Sequence, residues 1–502
     1  MATTRTAAEA RSRATRKKPD VTVDTLSPTQ APGTPSEYRA RVRMYRHGLG
    51  DCFLVTFPRN DRPPFQMLID CGALARNSAE MTTVVEHIRD TAKQGRPDHR
   101  ARLDVVVGTH EHKDHVSGFN QARPVFNNDI DFGSVWMSWA ENLSQAEALK
   151  LKEAKKVAKA KLQMALASAH VGAAPLAGVA DMLGFTSDDD SVESARVADA
   201  MAYLKQRGKD AQDLRFLEPG GSPVELEDLD GFRFYVLGPP RDPNFLKTSG
   251  VTQKMKDGGV IYHLAQMGMA GMDALGAAVA PDGGTESERS HPFAPEHRIA
   301  RPAAGQLSPY FPEIAPFVAS TYDDPLEAWR RIDEDWLSAF GQLALALDND
   351  TNNTSLVLAI ECTQTRDVLL FVADAQMGNW LSWGSVSFEV PGRRTPCPAH
   401  ELLGRTVFYK VGHHCSHNAT LKNDGLELMI RDNLVAFIPL DVGTAKKQGK
   451  QGWDMPAGPL FKALREKTKE RVVISDVSMQ PSAEAVAAGV IAMPEYIDYF
   501  LR

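Results

Sequence analysis

The sequence predicts an α/β protein in which one long domain, and not a string of separate ones, carries the function. Three observations lead there. Apolar runs of strand length lead into aspartate or histidine: Leu103 to Val107 precedes His110, Met67 to Ile69 ends in Asp70, and Asp367 to Ala373 ends in Asp374. Helical stretches lie between these runs. The loaded strand ends are spread from Asp70 to His414 across a chain of 502 residues, so a single fold has to gather them.

Taken in order, residues 1–38 are rich in Ala, Thr, Arg, Ser and Pro, without apolar periodicity. No hydrophobic stretch follows their basic residues, so a disordered basic tail is expected and not a secretion signal. Arg41 to His47 alternates like a half-buried strand, Gly48-Leu49-Gly50-Asp51 makes a turn, and Cys52 to Phe57 is the second arm of a hairpin. Met67 to Gly72 is an apolar strand ending in Asp70 and a turn glycine. The strand Leu103 to Val107 then delivers His110-Glu111-His112-Lys113-Asp114-His115. Side chains alternate along an extended segment, so His110 and His112 face the same way and reach one ion. Asp114 and His115 follow where the chain turns into a helix, and there they serve a second ion. The chain has 14 histidines, three of them within these six positions, which sets the stretch apart from an ordinary polar loop. Neutral imidazole and carboxylate hold divalent ions, zinc among them, and a water on such ions becomes a nucleophile near neutral pH.

Residues 144–210 read as two or more helices with Ala-rich faces, interrupted by Asp188 to Asp190. They include the basic run Lys150 to Lys161, expected to be a solvated face. Phe232 to Leu237 is a further strand. Residues 265–320 lack sustained periodicity and suggest a long loop in which His291 and His297 are not ligands, whereas 323–346, with Trp329 and Trp336, reads as an amphipathic helix. A polar turn, Thr351 to Ser355, precedes the strand Leu356 to Ile360. Val407 to Val411 runs into His413, His414, Cys415, Ser416 and His417. Leu434 to Leu440, a helix after Met455-Pro456 and Val472 to Asp476 close the pattern. Trp136, Trp139, Trp380 and Trp383 stand beside these segments, where core burial is the default and cleft lining the alternative.

The H-x-H-x-D-H string at 110–115 resembles the signature of the metallo-β-lactamase superfamily. The strand end Leu68-Ile69-Asp70-Cys71-Gly72, the string Asn352-Asn353-Thr354-Ser355-Leu356-Val357-Leu358 and the element Lys410-Val411-Gly412-His413-His414-Cys415-Ser416 are similar to the ComEC-like competence-protein hydrolase branch, with Cys415 where a glycine is usual. The resemblance covers 39–245 and 345–480. It implies an αββα sandwich over 39–502 with helical and loop insertions at about 140–215 and 245–345, free of the membrane channel that the competence proteins carry. It also implies Asp70 beside the metal loop, Asp374 as the bridging carboxylate, and a second ion held by Asp114, His115, Asp374 and one of His413 and His414. Neighbours on an extended chain point to opposite sides, so His414 is expected as the ligand and His413 as a catalytic group facing substrate. Asn353, Ser355 and His417 are then supporting or substrate-side residues. Relatives with a full set carry another histidine where Asn352 and Asn353 stand, which leaves the first ion to His110, His112, Asp374 and water. Such an oxygen-rich site admits manganese as well as zinc.

Composition narrows the classes. No apolar run approaches the roughly 18 residues of a membrane span. Five scattered cysteines form no close pair, which points to a reduced, cytoplasmic setting. The first 18 residues hold six Lys or Arg and one Glu, a net of +5, so with the whole chain at −7 the remainder carries −12. That balance weighs against a tight grip on long nucleic acid, although the tail could hold it weakly. The expected function is a metal-dependent hydrolase with two divalent ions, zinc or manganese, in which a metal-bridging hydroxide and Asp114 cleave a phosphodiester or nucleic acid. The alternatives are a partner-regulated effector that docks a protein through its insertions, its metal site secondary or latent, and a hydrolase of a non-phosphate ester or amide.

Overall fold

The computed structural model describes residues 34–35, 37–96, 99–168, 197–246, 315–318, 320–321, 348–448 and 452–502. The predicted tail, Asp188 to Asp190, His291, His297, Trp329, Trp336 and most of the 245–345 insertion lie outside the described residues.

The apolar runs form strands β1 (Ala40–Tyr45), β2 (Cys52–Phe57), β3 (Phe65–Cys71), β4 (Ala101–Gly108), β5 (Ile130–Ser138), β6 (Leu214–Leu217), β7 (Val224–Leu226), β8 (Leu229–Gly238), β9 (Val357–Cys362) and β10 (Val368–Phe371). They are followed by β11 (Ser387–Phe388), β12 (Cys397–Pro398), β13 (Thr406–Lys410), β14 (Val435–Ile438), β15 (Val472–Ile474), β16 (Ile491–Ala492) and β17 (Tyr496–Leu501). Two large mixed sheets result, an eight-stranded one in the order β16-β17-β1-β2-β3-β4-β5-β6 and a seven-stranded one in the order β15-β14-β13-β10-β9-β8-β7.

Each sheet is antiparallel on one side and parallel on the other. The switch falls after β3 in the first sheet, where β3, β4, β5 and β6 pair in parallel, and after β10 in the second, where β10, β13, β14 and β15 do. Short turns suffice for antiparallel neighbours, whereas parallel ones need a crossover. Helices supply it: α1 (Ser78–Ala92), α2 (Lys113–Gln121), α3 (Arg123–Asp129), α4 (Ala146–Ser168) and α5 (Val197–Asp210) in the first half, α6 (Met377–Ser382), α7 (Ala399–Leu403) and α8 (Gly458–Thr468) in the second. The switches bring the C-terminal ends of β3, β4, β10 and β13 together, the usual place for a site in such sheets.

The two sheets share one apolar core. Phe53 meets Phe371 at a centroid distance of 5.8 Å, Trp136 meets Phe234 at 5.2 Å, and Phe408 meets Tyr499 at 5.3 Å. On the far face of the first sheet, Leu54, Leu68 and Val106 pack with Val85, Phe119 and Leu204 of the helices. On the far face of the second, Tyr409 and Ala436 pack with Trp380, Leu402 and Leu464. The four tryptophans Trp136, Trp139, Trp380 and Trp383 are all buried, so core packing is their role.

Covering both faces changes β1. Expected to be half-buried, it is buried at every position, because α1 covers the side that its alternation left polar and β17 pairs along its edge. Arg43 is accommodated by a two-pronged pair with Asp498 of β17, at 2.8 and 2.7 Å, and by the Tyr496 ring 3.4 Å away. The strand β17 lies beyond the predicted pattern; it joins β1 across the whole length of the chain, a pairing that local periodicity cannot signal. Among the described residues no helix is long and apolar enough to cross a membrane. Replacing Asp498 by Ala strands a buried guanidinium, and we expect this to cost about 3–5 kcal/mol of stability in urea unfolding. A loss below about 1 kcal/mol would mean that the Arg43 pair does not hold the C-terminal strand.

Candidate metal centre

Beyond β4 the chain does not stay extended: it bends at His110 and Glu111, and His112 N donates back to His110 O at 3.1 Å. The two rings meet all the same, His110 Nε2 lying 3.1 Å from His112 Nδ1, but a tight turn brings them together and not the expected alternation along a strand. Asp114 and His115 sit in the first turn of α2. The hairpin turn fixes this loop from behind: Asp51 N donates to Asp114 O at 2.9 Å, and Gly72 N donates to Asp51 O at 3.0 Å. The approach explains both glycines. A Cβ on Gly72 would lie 2.4 Å from His115 N, and one on Gly50, whose φ is +148°, would lie 2.3 Å from Gly72 O.

Asp70 organises the histidines. Its Oδ1 accepts Thr109 N at 2.9 Å, and its Oδ2 accepts Thr109 Oγ1 at 2.6 Å and His115 Nδ1 at 2.7 Å. Thr109 Oγ1 is also 3.1 Å from His110 Nδ1, so one carboxylate orients both rings. His414 Nδ1 donates to Pro439 O at 2.7 Å. His112 Nε2 lies 3.6 Å from Asp348 Oδ1. With one nitrogen of His110, His115 and His414 turned to its support, the other nitrogens face the carboxylates of Asp114 and Asp374. His115 Nε2 is 3.1 Å from Asp374 Oδ2 and 4.0 Å from Asp114 Oδ2; His414 Nε2 is 2.8 Å from Asp114 Oδ2 and 3.7 Å from Asp374 Oδ2.

Among the described residues, two groups of buried side chains could hold a metal ion: His110, His112 and Asp374, and Asp51, His115, Asp374 and His414, with ligand atoms within 4.8 Å of one another in each. Asp374 belongs to both. Asp51, however, approaches His115 and His414 from their Nδ1 sides, at 3.7 and 3.9 Å, and those nitrogens already serve Asp70 and Pro439. Asp114 stands on the free Nε2 side and is the better-aligned carboxylate. Asp51 instead pairs with the buried Lys410, 2.5 Å from its Nζ, while the same ammonium donates to Ala373 O at 2.7 Å and lies 3.5 Å from Asp374 Oδ1.

The electrostatics fit a cation. Burial lowers His110 well below the imidazole range and His112 to about 3, so both are neutral and ready to ligate. Burial acts the same way on His115 and His414, but Asp374 and Asp114 outweigh it and raise both. Burial works to raise Asp114 and Asp374 in turn, yet His115 and His414 hold Asp114 at about 2 and Asp374 well below the carboxylate range. Protons on two histidines thus supply the positive charge that the buried carboxylates demand. Asp114 Oδ1 and His115 Nε2 have no hydrogen-bond partner, and each is an atom that a metal would satisfy. The donor set is imidazole and carboxylate, which suits zinc or manganese.

The backbone is strained where it meets this cluster. Asp70, Ala373, His413, His414 and Cys415 have φ of 55°, 47°, 39°, 49° and 65°. Such residues cost on the order of 1–3 kcal/mol each and persist at sites that need them. The turn at Gly412–Cys415 corrects the expectation about the adjacent histidines, because the chain there is tightly coiled and alternation does not separate them. His414 turns inward, as expected. His413 is half-buried, with Nδ1 2.9 Å from Ser416 Oγ and 3.1 Å from Gln376 Nε2, and burial lowers it to about 4. Cys415 fits the turn without disrupting it, its carbonyl accepting Ala457 N at 2.8 Å and its buried thiol pushed up to about 12.

His417 is exposed and stays out of the cluster. Asn353 is buried, but its side chain spans Leu246 O and Asn379 N, each at 3.2 Å, and Ser355 O accepts Asn379 Nδ2 at 3.0 Å. These two residues anchor α6. Three participants escaped the sequence reading: Asp51 as a partner of Lys410, Lys410 itself, and Asp348. Lys410 carried a signal, being a charge at the end of an otherwise apolar strand. Asp348 carried a fainter one, four residues before Asn352, whose Nδ2 donates to Asp348 Oδ2 at 3.1 Å. Burial, reinforced by Asp114 and Asp374, raises Asp348 to about 7. Comparison with protein-family models and with curated proteins gives no match.

Replacing Asp70 by Asn should leave the fold intact and weaken divalent-ion binding about 10–100-fold, measured by titration calorimetry, since it removes an acceptor that orients His110 and His115. Unchanged affinity would show that the histidines are oriented by something else.

Proposed function

We propose that this chain is a two-metal phosphodiesterase or nuclease of the metallo-β-lactamase superfamily, of the ComEC-like kind, and that its two sheets and outer helices are that family's αββα sandwich. The observation that carries the reading is Asp374, one buried carboxylate common to two groups of ligands on neighbouring strand ends. His110, His112 and Asp374 would hold one ion, and Asp114, His115, Asp374 and His414 the other. Bound there, two divalent ions would supply a nucleophilic water near neutral pH and neutralise charge developing at phosphorus.

The protein's own groups do the rest. Asp70, Thr109 and Pro439 O keep the imidazoles of His110, His115 and His414 turned inward. Lys410 holds Asp51 and Asp374 in place from behind the cluster. His413, with Nδ1 accepting from Gln376, carries its proton on Nε2, and that N–H is a donor for a substrate or leaving-group oxygen. The resemblance and the mostly oxygen and imidazole character of the site favour phosphate-ester cleavage over amide or thioester cleavage.

Two measurements test the reading. Purified protein should hydrolyse bis(p-nitrophenyl)phosphate, and Asp114→Asn should abolish this turnover while circular dichroism stays unchanged; equal rates in the two proteins would locate the activity elsewhere. After chelation, manganese should restore more activity than zinc, because among the described residues no further histidine joins His110, His112 and Asp374. Full recovery with zinc and no gain from manganese would contradict the oxygen-rich assignment.

A further inference from the structure

The basic run at 150–161 does not lie on a purely solvated face. Helix α4 is anchored by Ala148, which is fully buried, and by Leu151, both packed with Trp139 and Leu246. Lys152 and Lys155 follow at the i+4 and i+7 positions from Ala148, on the same face of the helix. That face points at the metal loop. Lys152 Nζ is 3.9 Å from Glu111 Oε1, the residue between the two metal-loop histidines, and Lys155 Nζ is 3.5 Å from Thr354 Oγ1 in the turn that supports Asp348. Both lysines are half-buried, whereas Lys150 and Lys156 of the same helix are exposed.

An inward-facing ammonium has three donors and wants an anion. Glu111, at 3.9 Å, is a loose partner for Lys152, and both ammonium groups bear on the carboxylates of Glu111 and Glu141. Glu141, however, is already paired with Lys205 at 2.7 Å, so three ammonium groups face two carboxylates and the patch keeps a net positive charge. Two cations on a fixed helix beside a phosphodiester-cleaving centre have the chemistry of a subsite for a neighbouring phosphate. We propose that Lys152 and Lys155 bind a backbone phosphate next to the scissile one, which makes the ligand an oligonucleotide strand instead of a small isolated phosphodiester. The inference rests on the phosphodiesterase reading but concerns a separate surface, contributed by the helix inserted between β5 and β6. It also accounts for a recognition patch in a chain whose overall charge is negative: two positioned cations beside the centre replace a broad basic footprint.

The test is binding of a short fluorescein-labelled single-stranded oligodeoxynucleotide to the full-length, metal-loaded protein, followed by anisotropy across a series of salt concentrations. The K152Q/K155Q variant should bind about tenfold more weakly, and its plot of log K against log salt should be shallower by about 1.4, roughly 0.7 for each lost phosphate contact on a single strand. K152R/K155R, which keeps both charges, should bind as the unmodified protein does. K150Q/K156Q removes the same charge from the exposed sides of the same helix and should change neither affinity nor slope. Equal losses in the two glutamine pairs would reduce the effect to net charge and overturn the proposal, as would undiminished binding by K152Q/K155Q or a loss in the arginine variant as large as in the glutamine one. Hydrolysis of bis(p-nitrophenyl)phosphate by the unmodified protein reports on the phosphodiesterase reading separately, because that small ester carries one phosphate and no neighbouring one.

Discussion

Four carboxylates, those of Asp51, Asp70, Asp114 and Asp374, are buried together where the two sheets meet, and the rest of the site follows from the need to balance them. Buried charge is tolerated only when it is paired and hydrogen-bonded. Asp70 is satisfied by Thr109 and His115, and Asp51 is paired through Oδ2 with Lys410. Asp114 and Asp374 are left facing the inward nitrogens of His115 and His414. A neutral imidazole with its proton on the outer nitrogen would turn a lone pair towards these oxygens, which is repulsive. Only a cation between them resolves the contact, either a proton, as the raised His115 and His414 indicate, or a metal ion.

That demand explains features remote from the ligands. The parallel switch in each sheet sets two strand ends side by side, so β3, β4, β10 and β13 can each contribute from a rigid position. The left-handed backbone at Asp70 and through His413 to Cys415 aims side chains that an ordinary strand end would send elsewhere. Gly50 and Gly72 let the hairpin turn lie directly against the backbone of the metal loop. A site assembled this way is preorganised before any ion arrives.

Much of this was legible in the residues. The hairpin and the strands before His110 and Asp374 follow from the apolar runs, and the density of histidine and aspartate marks His110, His112 and His414, although turns and not strand alternation aim their rings. What was not legible depended on partners far away in sequence. Nothing local marks β17 as the neighbour of β1, and Arg43 alone gives no hint of Asp498. The same holds for Asp348, which reaches His112 from a turn more than two hundred residues later, and for α4, whose lysines looked solvated until their face was seen against Glu111. The Gly412–Cys415 turn failed for a different reason: left-handed conformations at non-glycine residues are sustained by tertiary contacts, and propensity argues against them.

The most direct test is anomalous diffraction from crystals grown with manganese, and then with zinc. The account predicts two anomalous peaks on either side of the Asp374 carboxylate, one against His110 and His112 and one against Asp114, His115 and His414, at the few-ångström separation typical of two-metal sites, about 3.5–4 Å. A single peak, or peaks that leave Asp374 without a metal contact, would contradict it.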